Sequence, residues 1–211
     1  DGQTKPDRVW ARQLKELIDG TPLRPTLMEA LEPLAVFFRA PSSPQSVDWG
    51  QLQRVVRETR RAWRSASKLQ SLGLPDNFED FALAIYVYTL HDPCISQVLN
   101  RVMVSPDRYV EGRGISEALK ACAPYVRFLH EALQRLPERF IYRRGVYRGV
   151  KWVYPSPDSH DPEAHFKAGA TVLWYEFKST STHQRAMSMQ YFCGHQAGPR
   201  TIFRVKAVRG Y

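Results

Sequence analysis

Two stretches of this 211-residue chain are dense in side chains that could do chemistry. In YEFKSTSTH, Tyr175 to His183, an apolar, β-prone run from Ala170 to Tyr175 gives way to four consecutive hydroxyls: Ser179, Thr180, Ser181 and Thr182. Short hydrogen-bonding groups at the end of a buried strand are either a solvated strand end or the lining of a polar site. In YRRGVYRGV, Tyr142 to Val150, two Arg-Gly pairs follow each other: Arg144-Gly145 and Arg148-Gly149. Strand residues four apart share a face, so both guanidiniums could look into one cleft.

Other groups invite chemistry and have plainer readings. Asp158, His160, Asp161, Glu163 and His165 are five possible metal ligands within eight residues. Their spacing matches no metal-site pattern, and the interspersed Pro and Ser mark a surface loop, so no metal is expected. His183 is expected to cap or lie exposed. Glu176 is expected on the outward face of its strand. No G-x-G-x-x-G or G-x-x-x-x-G-K-[ST] phosphate loop occurs.

The elements that must position these groups change character along the chain. Val9, Leu14, Leu17 and Ile18 have helical spacing and Gly20 stops the run. Leu27, Leu31, Leu34 and Phe37-Phe38 predict a second helix, and Ala40 to Ser46 reads as a linker. Asp48 can cap a long helix from Trp49 to about Leu72. Asn77 or Asp80 opens a buried helix through FEDFALAIYVYTLH, and Pro93 suits the first turn of the next, to about Val104. SPDRYVEGRG reads as a loop and Ile115 to Leu136 as a long amphipathic helix ended by Pro137. Beyond it, RFIYRRGVYRGV, ATVLWYEF and TIFRVKAV are strand-like. Helices first and strands later predict an α+β fold.

Composition narrows the classes. With 43% apolar residues the chain can bury a core, and no apolar run approaches a membrane span. Cys94, Cys122 and Cys193 are odd in number and far apart, without a C-x-x-C pair. That suggests neither a disulfide framework nor a zinc site, and favours a reducing, cytosolic environment, which a delivered effector would also meet. The formal charge of 30 − 21 = +9 favours an acidic partner or a phosphate-bearing cofactor. The densest basic stretch, Arg54 to Arg64, reads as a solvated helix face. A nucleic-acid stripe is the lesser reading, since no aromatic platform accompanies it.

VYRGV, followed at Phe177 to Thr182 by FKSTST, resembles the ADP-ribosyltransferases of the Arg-Ser-Glu class, in their arginine-directed, eukaryote-type branch. That family pairs an aromatic-Arg-Gly strand with an aromatic-x-Ser-Thr-Ser strand and a Glu-x-Glu beyond a third. YTLHDPCISQVLN and APYVRFLHEALQRLP resemble the helical lobe preceding the arginine strand. FKAGATVLWYEFKSTST resembles the approach to the serine motif, and PRTIFRVKAVRGY the strand leading to the glutamate turn. The resemblance runs from about Asn77 to Tyr211.

The resemblance implies an ADP-ribosyltransferase-like mixed β core with an NAD cleft, preceded by a helical lobe. NAD would be the co-substrate and a protein the acceptor, at arginine by default. Arg148 would contact the pyrophosphate, a task suited to a guanidinium. Gly149 would let the backbone approach the nicotinamide amide. Ser179 would bond the nicotinamide ribose and orient the glutamate, with Thr180 and Ser181 bracing the strand end. Arg148 and Ser179 are the catalytic candidates; Arg144 would be a surface or adenosine-side contact. Met187, Met189, Tyr191 or Phe192 could cover the nicotinamide, though Phe192 is expected to pack a short helix on the sheet. Nicotinamide would leave through an oxocarbenium-like state that a carboxylate stabilises.

The third motif is missing: no Glu-x-Glu or Gln-x-Glu occurs in the 211 residues. The glutamate is expected beyond Tyr211, and the alternative is a non-catalytic NAD-binding or interaction module. The domain reading is a helical N-terminal extension, 1–72, followed by an ADP-ribosyltransferase-like domain, 73–211, that is C-terminally incomplete.

Overall fold

A computed structural model of the chain describes residues 5–39, 46–110, 114–150, 169, 176–189, 192–198, 200–207 and 210. All but Ser46 of the expected linker at 40–46, the histidine-rich loop at 158–165, the strand over 170–175 and Tyr191 lie outside these residues. The fold is α+β, mostly helical with small antiparallel sheets. It divides into two compact units: Arg12–Leu136, and Pro137–Tyr211 together with Asp1–Ala11. Among the described residues no helix is long and apolar enough to cross a membrane.

The helical unit is built around three packed helices. α1, Lys5–Gly20, enters it, and α2, Leu27–Phe37, follows. Thr26 caps α2: its hydroxyl accepts from the Glu29 N–H at 3.3 Å and donates to the Glu29 carboxylate at 2.9 Å. α3 is Trp49–Ser65, α4 Lys68–Ser71, α5 Glu79–Thr89, α6 Ile95–Val104 and α7 Glu117–Gln134. Leu27, Leu31 and Leu34 of α2 bury fully against α7, whose Leu119, Tyr125, Phe128 and Leu129 are also buried. Each such side chain contributes about 1.5–3 kcal/mol by leaving water. Phe81 of α5 stacks on Phe128 with centroids 4.8 Å apart, and the Tyr125 hydroxyl donates to the Ala84 carbonyl at 2.9 Å.

Several expectations about boundaries change. The long helix from Trp49 breaks at Ser67, which takes a left-handed backbone, φ +47°. The reason is rotational. At about 100° per residue an unbroken helix would carry Leu69 roughly 120° off the line of Leu52, Val56 and Trp63. The break lets Leu69 reach the interior, where it is buried. Asp80 does not cap its own helix. α5 follows a 3₁₀ turn at Asp76–Phe78, and Asp80 instead accepts the Leu27 N–H of α2 at 2.9 Å. Pro93 precedes α6 rather than sitting in its first turn. The expected loop at 105–114 contains a short antiparallel pair, β1 (Tyr109–Val110) with β2 (Gly114–Ile115). Ser116 then caps α7 by accepting the Leu119 N–H at 3.3 Å.

In the second unit, β3 (Gly145–Val150) pairs antiparallel with β4 (Thr201–Lys206), with Arg148 opposite Phe203. The expected strand at 139–150 therefore forms only in its second half, after a 3₁₀ turn at Glu138–Phe140. The free edge of β3 bonds the hydroxyl-rich segment: Tyr147 N–H to the Ser181 carbonyl at 2.7 Å, and Ser181 N–H to the Tyr147 carbonyl at 2.8 Å. β3 is thus flanked on both edges.

Candidate active site

β3 and the segment 176–183 bring the two sequence-indicated stretches together. Arg148 is half-buried, and its guanidinium Nη1 donates to the Ser179 carbonyl oxygen at 2.8 Å, across 31 residues of sequence. The Tyr147–Ser181 bridge fixes the register that makes this contact possible. Arg144 lies just before β3 and is exposed. Its carbonyl accepts the Ala207 N–H at 3.1 Å. The two arginines therefore do not share a site in the described residues: one is tied into the corner, and the other faces solvent.

The hydroxyls divide their tasks. Ser179 is half-buried at the contact with Arg148, and Thr180 is exposed. Ser181 Oγ accepts the His183 N–H at 3.1 Å, closing the turn that follows. His183 is exposed, with its Nδ1 2.9 Å from the Thr182 hydroxyl.

Gly149 is buried for a reason the sequence did not suggest. A Cβ there would stand 2.4 Å from Cys193 Sγ and 3.2 Å from Met187 Sδ. The space it leaves is filled by protein. Met187, in a 3₁₀ turn at Gln184–Ser188, is itself buried, so it packs against β3 rather than standing open to a ligand. Phe192 is half-buried on the following turn.

Lys178 is the group that sequence reasoning passed over. It ion-pairs with Glu176, and both side chains are largely covered. Burial first, and the neighbouring charge of Arg148 second, push the Lys178 ammonium down to about 8. Glu176 was expected to face outward; it is instead drawn in by this lysine. The available signal was the position of Lys178 inside FKSTST, but nothing in the sequence revealed its burial. The corner thus gathers Arg148, Lys178 and the Ser179 backbone against a single carboxylate. Two neighbouring cations are groups that can bind phosphate oxygens.

A cavity of about 370 Å³ lies instead in the helical unit, lined by Trp63, Arg64, Lys68, Asp76 and Glu79 among others. It contains none of these site residues. Its Arg64 is already bound through both Nε and Nη2 to Glu79, at 2.8 and 2.6 Å. Among the described residues no cluster of His, Cys, Asp and Glu could hold a metal ion.

Residues 45–210 match the family model described as NAD:arginine ADP-ribosyltransferase, well over half of the chain. The chain belongs to this family. ADP-ribosyltransferases use NAD as co-substrate and modify protein acceptors. The match begins before Asn77, within α2-to-α3 territory, so the helices from α3 onward are part of what is shared. No curated protein and no solved structure matches the chain.

Proposed function

We propose that the chain transfers ADP-ribose from NAD to an arginine side chain of an acceptor protein and releases nicotinamide, as a mono-ADP-ribosyltransferase and hence a glycosyltransferase. One observation carries this reading: in a member of this family, the Arg148 guanidinium is anchored on the Ser179 carbonyl at the edge of β3.

Arg148 holds the pyrophosphate of NAD, and its backbone anchor limits the guanidinium's freedom before the ligand arrives. Lys178 adds a second cation beside it. Ser179 bonds the nicotinamide ribose, and Ser181 and Thr180 keep the segment's end in place. Gly149 serves the site by letting Cys193 and Met187 brace β3 from behind. Bound NAD supplies a ribose whose bond to nicotinamide breaks readily, because the ring leaves neutral. No Glu-x-Glu lies within the 211 residues, so none of them is assigned the carboxylate that would stabilise the ribose cation. The three free cysteines suit a reducing, cytosolic setting.

That same missing motif favours the second reading, an NAD-binding or interaction module without turnover. Nicotinamide release separates the two, measured for the 211-residue chain and for a version extended past Tyr211. Turnover in the longer chain alone supports the transferase. Binding of NAD with no turnover in either supports the module.

A further inference from the structure

α3 has two opposite faces. Leu52 and Val56 are buried on one, in line with Trp63. Arg54, Arg57, Arg61 and Arg64 recur on the other at spacings of three, four and three residues, all exposed. At 1.5 Å per residue the row is about 15 Å long. On α1 and α7 the cations are matched with acids one turn away, whereas single cations such as Arg101 of α6 and Lys68 of α4 make no ion pair among the described residues. Arg12 pairs with Glu16 and Lys15 with Asp19 on α1; Lys120 pairs with Glu117, and Arg127 and Arg135 both with Glu131, on α7. On the α3 row Arg64 is held by Glu79. Arg54, Arg57 and Arg61 make no ion pair or hydrogen bond with any described residue. Glu58, within one turn of both Arg54 and Arg61, pairs with neither. Like charges one turn apart repel, so this row opposes the helix that carries it.

We propose that the exposed arginine row of α3 is a docking surface for an acidic segment of the acceptor protein; the word acceptor rests on the transferase reading above. The chemistry selects carboxylates. Every cation of the row is a guanidinium, whose planar fork takes a carboxylate through two parallel bonds. The residues recur at rises of about 4.5 and 6 Å, the interval at which glutamates one turn apart recur on a partner helix. A single-stranded nucleic acid would call for aromatic platforms between the cations. None interrupts this row, and Trp63 lies on the opposite face. An acidic segment held here raises the local concentration of acceptor and speeds its encounter, with marked salt dependence.

The test uses the 211-residue chain and a fluorescein-labelled helical peptide with glutamates at positions i, i+3, i+7 and i+10. A glutamine version is the control and a 12-nucleotide single-stranded DNA the rival class. The glutamate peptide should bind by anisotropy at least tenfold more tightly than the control, and weaken as salt rises. The triple variant R54E/R57E/R61E should lose that preference, and the neutral variant R54Q/R57Q/R61Q should lose most of it. Both should keep the far-UV circular dichroism and the NAD affinity of the parent. Equal binding of the two peptides, or an unchanged preference in both variants, overturns the proposal. So does tighter binding of the DNA through the same three arginines. A parent chain that fails to bind NAD would count against the transferase reading and leave the peptide result standing.

Discussion

At the scale of single residues, the site is a corner where one guanidinium meets one backbone carbonyl. Replacing Arg148 by Ala should weaken NAD binding by about 1.5–3 kcal/mol, roughly ten- to a hundredfold, because a charged hydrogen-bonding group is lost. Arg144→Ala should cost little, since that side chain faces solvent. Gly149→Ala should destabilise the fold by about 1–3 kcal/mol through overpacking against Cys193 and Met187. Adding Cys193→Ala should recover part of that loss in thermal melts, and a double variant no better than Gly149→Ala alone would contradict the packing account. Lys178 gives a pH signature of known sign. Its folded pKa lies near 8 against an ordinary 10.5, so it sheds its proton as pH passes 8. NAD affinity should therefore fall between pH 7 and 9, and Lys178→Met should flatten that fall. Stability moves the other way. The folded chain avoids the charged form, so this group's penalty is present below about 8 and is relieved as pH rises from 8 towards 10.5.

At the scale of elements, the sequence disclosed kinds better than ends. Helices from Leu27, Trp49, Glu79 and Glu117 and strands at Val146–Val150 and Thr201–Lys206 were legible from periodicity: the helices carry buried residues at helical spacing, and Thr201–Lys206 alternates half-buried with exposed positions. The break at Ser67 was not, since it depends on where Leu69 finds an interior. Nor was the pairing at Tyr109–Ile115, whose two-residue strands are too short for any period to show. Pro124 sits within α7 against its helix-breaking tendency, overridden by the burial of Tyr125, Phe128 and Leu129 around it. Asp80 shows why a cap can be misassigned. Local spacing points to its own helix, but its carboxylate ties the first turn of α2 and Arg60 of α3 to α5. Asp80→Ala should cost about 1–2 kcal/mol, the price of a lost cap, and it should do so by loosening α2. Amide exchange that quickens in α5 and not in α2 would contradict that placement. On α7, Glu131→Gln weakens two pairs, one largely covered with Arg127 and one more exposed with Arg135, and should cost about 1 kcal/mol in chemical denaturation.

At the scale of the whole molecule, the ADP-ribosyltransferase family was legible from two short motifs in order, VYRGV and FKSTST. What the motifs could not show was how they meet. The register of β3 with Ser181, the burial of Lys178 and the packing behind Gly149 are properties of the folded sheet, set by residues far apart in sequence. The α3 arginine row lay in plain sight as a run of charge, yet only the folded structure shows that Glu79 holds Arg64 while Arg54, Arg57 and Arg61 make no ion pair among the described residues. The proposal that the Arg148–Ser179 corner takes NAD is settled by calorimetric titration of NAD into the parent chain and into Arg148→Ala and Arg144→Ala. The parent should bind, Arg148→Ala should lose at least tenfold, and Arg144→Ala should keep near-parental affinity. Parental affinity in Arg148→Ala, or loss in Arg144→Ala instead, would contradict it.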